Sequence, residues 1–145
     1  MAMHTWFECK IRYEKVMENG MQKKVTEPYL VDALSFTEAE ARIIEEMTPF
    51  ITGEFTVSDI KRANYSELFP SDEESADRWF KCKLIFITLD EKSGAEKKTS
   101  TQVLVQAADL RDAVKKLDEG MKGTMADYQI GMVSETPLMD VYPYS

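Results

Sequence analysis

Trp6-Phe7-Glu8-Cys9-Lys10-Ile11 returns 73 residues later as Trp79-Phe80-Lys81-Cys82-Lys83-Leu84. In the first copy Phe7, Cys9, Ile11 and Tyr13 fall on one face of an extended chain, and Trp6, Glu8, Lys10 and Arg12 on the other. Alternation with period two marks a half-buried β-strand. Further matches follow in the same order. Leu30-Val31-Asp32-Ala33 answers to Leu104-Val105-Gln106-Ala107 at an offset of 74, and Glu45-Glu46-Met47 to Glu119-Gly120-Met121. Glu54-Phe55-Thr56-Val57 answers to Asp127-Tyr128-Gln129-Ile130, and Glu67-Leu68-Phe69-Pro70 to Asp140-Val141-Tyr142-Pro143, again 73 apart. A hairpin turn absorbs the slip of one residue. The matches predict a tandem duplication: a first unit over 1–70, an acidic solvated linker over 71–77 and a second unit over 78–145, in one globular domain overall.

Each unit reads as strand, strand, helix, strand. Glu18-Asn19-Gly20 supplies a tight turn, since Asn-Gly tolerates positive φ. The second strand runs through Val25, Tyr29 and Val31. Pro28 lies inside it and has no N–H for a ladder, which predicts an edge strand. Ser35-Phe36-Thr37-Glu38 is a capping-box pattern opening a helix through Ala39, Ile43, Ile44 and Met47. In the second unit Glu91-Lys92-Ser93-Gly94 is the turn, and Asp109 caps a helix through Leu110, Ala113, Val114 and Leu117. The expected fold class is α+β. Two β-β-α-β units, joined through their third strands, would give about six mainly antiparallel strands with both helices packed on one face. Leu84-Ile85-Phe86-Ile87-Thr88-Leu89 is apolar on both faces, as expected of a central strand covered on both sides.

The 145 residues suffice for a core without disulfide staples. Apolar runs fall well short of the ~20 residues that cross a bilayer, and Met1 to Trp6 lacks the basic and apolar regions of a secretory signal. A cytoplasmic location, with no membrane partner, is the expectation. Eighteen Lys and Arg against 26 Asp and Glu give a net charge of −8, which opposes duplex DNA and anionic membranes.

Trp-Phe-x-Cys-Lys, followed by Thr-Glu-Pro-Tyr-Leu-Val-Asp-Ala (26–33) and Ser-Phe-Thr-Glu-Ala-Glu-Ala (35–41), resembles a family of small bacterial and phage proteins filed as a domain of unknown function and seen mainly in gut anaerobes. The resemblance covers nearly the whole chain. It implies a phage or mobile-element context and brings no activity, cofactor or site residue with it.

Most enzyme chemistries lack their residues. His4 is the only histidine and sits at the start of the chain, so a Ser-His-Asp or Cys-His pair has no well-held base. His4, Cys9 and Cys82 fall one ligand short of a closed zinc site. The six glycines form no phosphate loop or dinucleotide fingerprint. Glu38 with Arg42 and Asp112 with Lys116 stand four apart on their helices, the spacing of ordinary surface pairs. Cys9 and Cys82 occupy equivalent inward positions and read as buried free thiols. No enzyme activity, cofactor or metal is expected.

Two surfaces remain. The leading reading is a protein-interaction or assembly module, with a protein partner or a second copy, contacting the second apolar face of the fourth strand at Ile85, Ile87 and Leu89. The alternative is single-stranded nucleic acid. Trp6, Lys10 and Arg12 on one strand, and Trp79, Lys81 and Lys83 on its counterpart, place an aromatic before alternate bases, the way a sheet offers stacking platforms and phosphate contacts.

Overall fold

Strand β1 (Trp6–Val16) keeps the alternation of its sequence: Phe7, Cys9 and Ile11 have no exposed surface. A computed structural model describes residues 5–124 and 127–144 of the chain. Gly20, at φ 81°, turns β1 back into β2 (Gln22–Asp32), and Asn19 Oδ1 accepts the Met21 N–H at 3.0 Å. The register puts Cys9 opposite Tyr29 and Phe7 opposite Val31, so one face of the pair is apolar throughout. Helix α1 (Phe36–Met47) packs on that face with Ala39, Ile43 and Met47, which recur every four residues. Ser35 Oγ caps it by accepting the Glu38 N–H at 3.1 Å, as the capping-box pattern predicts. Strand β3 (Phe55–Ala63) lies antiparallel on the other side of β1, with a bulge opposite Lys10 and Ile11.

After the three-residue strand β4 (Glu67–Phe69), the same succession occurs again. Strand β5 (Arg78–Leu89) buries Phe80, Cys82 and Leu84, and turns at Gly94 (φ 70°) into β6 (Glu96–Ala107). Asp109 caps α2 (Leu110–Gly120), accepting the Asp112 N–H at 2.8 Å, and Ala113, Leu117 and Met121 meet the sheet. Strand β7 (Tyr128–Glu135) lies antiparallel to β5 with a bulge opposite Lys83 and Leu84, and β8 (Asp140–Tyr142) ends the series.

The chain is α+β, and its described residues form two helices and eight strands in two mixed four-stranded sheets of order β3-β1-β2-β8 and β4-β6-β5-β7. The expected single sheet of about six strands, joined through the third strands, is not what forms. The third strands β3 and β7 are each the edge of a separate sheet. The segments after them supply the extra strands: β8 runs parallel to β2, with Leu30 opposite Val141, and β4 runs parallel to β6, with Leu68 opposite Leu104. Each helix packs on one face of its own sheet.

Residues up to Asn64 and from Pro137 onward form one compact unit, and Tyr65–Thr136 the other. These bounds differ from the split at 70 and 78, because each short strand belongs to the sheet built from the other half of the sequence. The acidic stretch 71–77, expected as a solvated linker, lies inside the second unit. Ser71 N–H donates to Gln106 Oε1 at 2.9 Å, Lys116 Nζ donates to Glu73 Oε2 at 3.2 Å, and Ala76 is buried.

Pro28 does not keep β2 at an edge along its whole length. β8 begins pairing at Tyr29, one residue past the proline, and the Pro28 carbonyl, the ladder group that proline retains, accepts the Met139 N–H at 2.9 Å. Among the described residues no helix is long and apolar enough to cross a membrane.

Candidate protein interface

In an antiparallel sheet, residues opposite each other share a face. On the helix-free face of the second unit, Lys83 stands opposite Gln102 and Met132, Ile85 opposite Ser100 and Gln129, Ile87 opposite Lys98, and Leu89 opposite Glu96. Ile85 and Ile87 are half-buried, while Leu89 is 69% and Met132 42% exposed. The fourth strand of the sequence reading is thus central, with β6 and β7 as neighbours, but its second face is only partly covered. Coverage fades toward the hairpin end, where the sheet narrows to two strands.

Gly131 shapes the strip. It lies at the bulge of β7, and a Cβ there would come 2.9 Å from Ile85 Cδ1. Without that atom, Ile85 lies close over the β7 backbone and extends the apolar surface toward Met132. The turn beyond Leu89 is closed by hydrogen bonds: Gly94 N–H donates to Asp90 O at 2.7 Å, and Lys92 N–H to Asp90 Oδ1 at 2.9 Å. The Lys92 N–H bond, and the Ser93 hydroxyl after it, hold the Asp90 carboxyl below its ordinary range. Along this face Glu96 stands beside Leu89, Lys98 beside Ile87 and Lys83 at the far end, so both signs of charge flank the apolar side chains.

The first unit differs at the same places. Seventy-three residues before Ile85, Ile87 and Leu89 stand Arg12, Glu14 and Val16. There the face forms an open groove of about 960 Å³, lined among others by Arg12, Glu14, Lys24, Thr26, Glu54 and Thr56. Two bases and two acids give it no single electrostatic preference.

The residues expected to bind single strands do not make a stacking surface. Trp6 and Trp79 are 3% and 5% exposed, so neither ring offers a face to a base. Alternation placed them correctly on the helix-free side. Alternation tells which way a side chain points, not whether that side is covered, and Leu30 and Leu104 on the same faces are also fully buried. Lys10 and Lys81 are half-buried, and only Arg12 and Lys83 of the six are exposed. Trp6, Lys10 and Arg12 belong to the first sheet, Trp79, Lys81 and Lys83 to the second.

Cys9 and Cys82 are buried free thiols. Burial pushes Cys9 up to about 12, with Glu8, Asp59 and Glu40 adding to the effect, and Cys82 up to about 11. Such thiols are poor nucleophiles. His4 lies outside the described residues. Among those described, no group of three or more His, Cys, Asp or Glu could hold a metal ion.

Sequence reasoning missed how far two helix bases reach. Arg42 does not serve Glu38. Its guanidinium donates to the backbone carbonyls of Asp32 and, at 3.2 Å, Pro143, and lies 4.7 Å from the Tyr144 ring. Lys116, 74 residues on, does bond Asp112 at 3.0 Å as expected, and also donates to Ser71 Oγ at 3.1 Å. A base at both 42 and 116 was the signal available.

No curated protein and no solved structure matches the chain. A family model described as "Domain of unknown function (DUF4494)" matches residues 5–144, and the chain belongs to that family.

Proposed function

We propose that the chain is a non-enzymatic interaction module, built by tandem duplication of a β-β-α-β unit, that associates with a second copy of itself through Ile85, Ile87, Leu89 and Met132. The duplication is supported by the equal order of elements, by bulges at Lys10/Ile11 and Lys83/Leu84, and by helix contacts at Ala39, Ile43 and Met47 that answer to Ala113, Leu117 and Met121.

The observation that carries the interface is the contrast between two like-built faces. Arg12 and Glu14 are what a solvated sheet face needs. Ile85 and Ile87 at the same positions have no such use and give the surface a reason to be covered. A second copy is the occupant because the strip complements itself. A twofold axis near Ile87 sets Lys83 of one strip against Glu96 of the other, twice, with Lys98 of each copy beside the axis. Burying Leu89 fully contributes about 1.5–3 kcal/mol per copy.

Light scattering on the purified chain tests this. The expected mass is that of a dimer, falling to a monomer in Ile87→Lys and in Leu89→Glu with the fold retained by circular dichroism. A wild-type monomer at high micromolar concentration, or a dimer indifferent to both substitutions, refutes the reading.

A further inference from the structure

The two short parallel strands are held in the same way. Met139 N–H donates to Pro28 O at 2.9 Å just before β8, and Ser66 N–H donates to Gln102 O at 2.8 Å just before β4. Asp140, Val141 and Tyr142 then pair with Tyr29, Leu30 and Val31, as Glu67, Leu68 and Phe69 pair with Val103, Leu104 and Val105. Val141 is buried and Leu68 half-buried, and the aromatic residue of each packs against the helix-side core: Tyr142 stacks on Tyr29 at 6.2 Å, and Phe69 lies over Gly120. A proline follows, and a base from the helix, Arg42 or Lys116, grips the chain beyond the strand. Both occupants read acid, aliphatic, aromatic, proline. Both are delivered from a distant part of the chain, so each sheet edge works as an acceptor for a strand that its own hairpin does not supply.

We propose that the outer edge of β2, with Arg42 beside it, is a binding site for an extended peptide of acidic–aliphatic–aromatic–proline type, and that in trans it takes the Asp140–Tyr144 segment of a second copy. Main-chain pairing supplies affinity, and the seats for Val141 and Tyr142 supply selectivity, as in strand addition generally. A second copy fits because it carries the very segment the site already holds. The chain's own segment is tethered and so competes at a high effective concentration. A trans segment enters measurably once the tethered one is weakened. This inference does not rest on the Ile85 strip.

The test uses the full chain carrying Val141→Asp and a fluorescein-labelled peptide of residues 137–144, read by anisotropy. The variant is expected to bind the peptide saturably, and the wild-type chain, whose site is filled, at least tenfold more weakly. Adding Arg42→Ala should weaken binding about tenfold or more, since hydrogen bonds from a charged donor are lost. A peptide that itself carries Val141→Asp should not bind. Should Val141→Asp be unfolded, Tyr142→Ala, which removes only the ring, serves with the same expectations. No binding by either folded variant, equal binding by the wild-type chain, or binding indifferent to Arg42 overturns the proposal.

Discussion

Gly120→Ala reads out the seating of β4 on the second sheet, because the usual sign of the substitution is reversed there. Replacing glycine by alanine inside a helix ordinarily gains about 0.8–1 kcal/mol. At Gly120, the last residue of α2, the new Cβ would stand 2.8 Å from Cδ1 and Cε1 of Phe69 and 3.0 Å from Cζ. The ring is packed against the core around Leu84, Val105 and Leu117, and its backbone is fixed in the ladder with Val105. Overpacking of this kind costs ~1–3 kcal/mol, so the net expectation is a loss of about 1 kcal/mol, or a few degrees in Tm. With Phe69→Ala in place the obstacle is gone, and Gly120→Ala should instead stabilise by up to about 1 kcal/mol. The coupling between the two sites is then ~2 kcal/mol, well above the error of a double-mutant cycle by urea denaturation. The first unit shows the alternative arrangement: Glu46 stands where Gly120 does, and Tyr142 rests against Tyr29. Equal stabilisation by Gly120→Ala in both backgrounds would refute the seating of Phe69, and with it the pairing of β4 on β6.

Cys9 and Cys82 should both resist a thiol reagent at neutral pH and both react once urea is added; a fast-reacting thiol in the native protein would contradict their burial. Stability should fall as pH rises above about 9. Cys9 and Cys82 are raised from 9.0 to about 12 and 11, and Tyr13 and Tyr142 from 10.0 to about 12, burial being the largest cause in each. The unfolded chain releases these protons first, so their contribution is complete below pH 9 and is lost as pH climbs toward 12. A urea midpoint that stays level or increases over that range is the opposing result. Acrylamide should quench the tryptophans poorly and a single-stranded oligonucleotide not at all, since Trp6 and Trp79 are covered; oligonucleotide quenching at low salt would restore the stacking surface.

What was legible in the sequence was local. Alternation in Trp6–Tyr13 and Trp79–Leu84, Gly20 and Gly94 at the turns, and Ser35 and Asp109 at the caps each act within a few residues, and each appears where the chain places it. The short strands were not legible as strands. Three residues carry no period, and their parallel partners lie more than thirty positions away, so Glu67–Phe69 and Asp140–Tyr142 could be matched to each other but not placed. The same gap explains Arg42, whose partners are backbone carbonyls that one residue spacing cannot reveal. At the candidate interface, the apolar second face of Leu84–Leu89 was visible in the residues, whereas the part played by Gly131 depends on a bulge in a neighbouring strand.

The two units share a frame and differ where function would be expected to separate them. Core positions are kept nearly like for like: Cys9 and Cys82, Val31 and Val105, Ala39 and Ala113, Ile43 and Leu117. Each acceptor edge has a helix base beside its short strand, Arg42 on the backbone carbonyls of Asp32 and Pro143 and Lys116 on the side chains of Ser71, Glu73 and Asp112. At the hairpin ends the likeness stops. Arg12, Glu14 and Thr56 give one unit a polar groove, and Ile85, Ile87 and Gly131 give the other an apolar strip. Packing density constrains the buried positions in both units alike, and the difference between the units lies on their outer faces. The strip at Ile85, Ile87 and Leu89 and the edge beside Arg42 are therefore separate claims on a partner, the first made by apolar side chains on an open face and the second by a backbone edge that already holds a strand of its own chain.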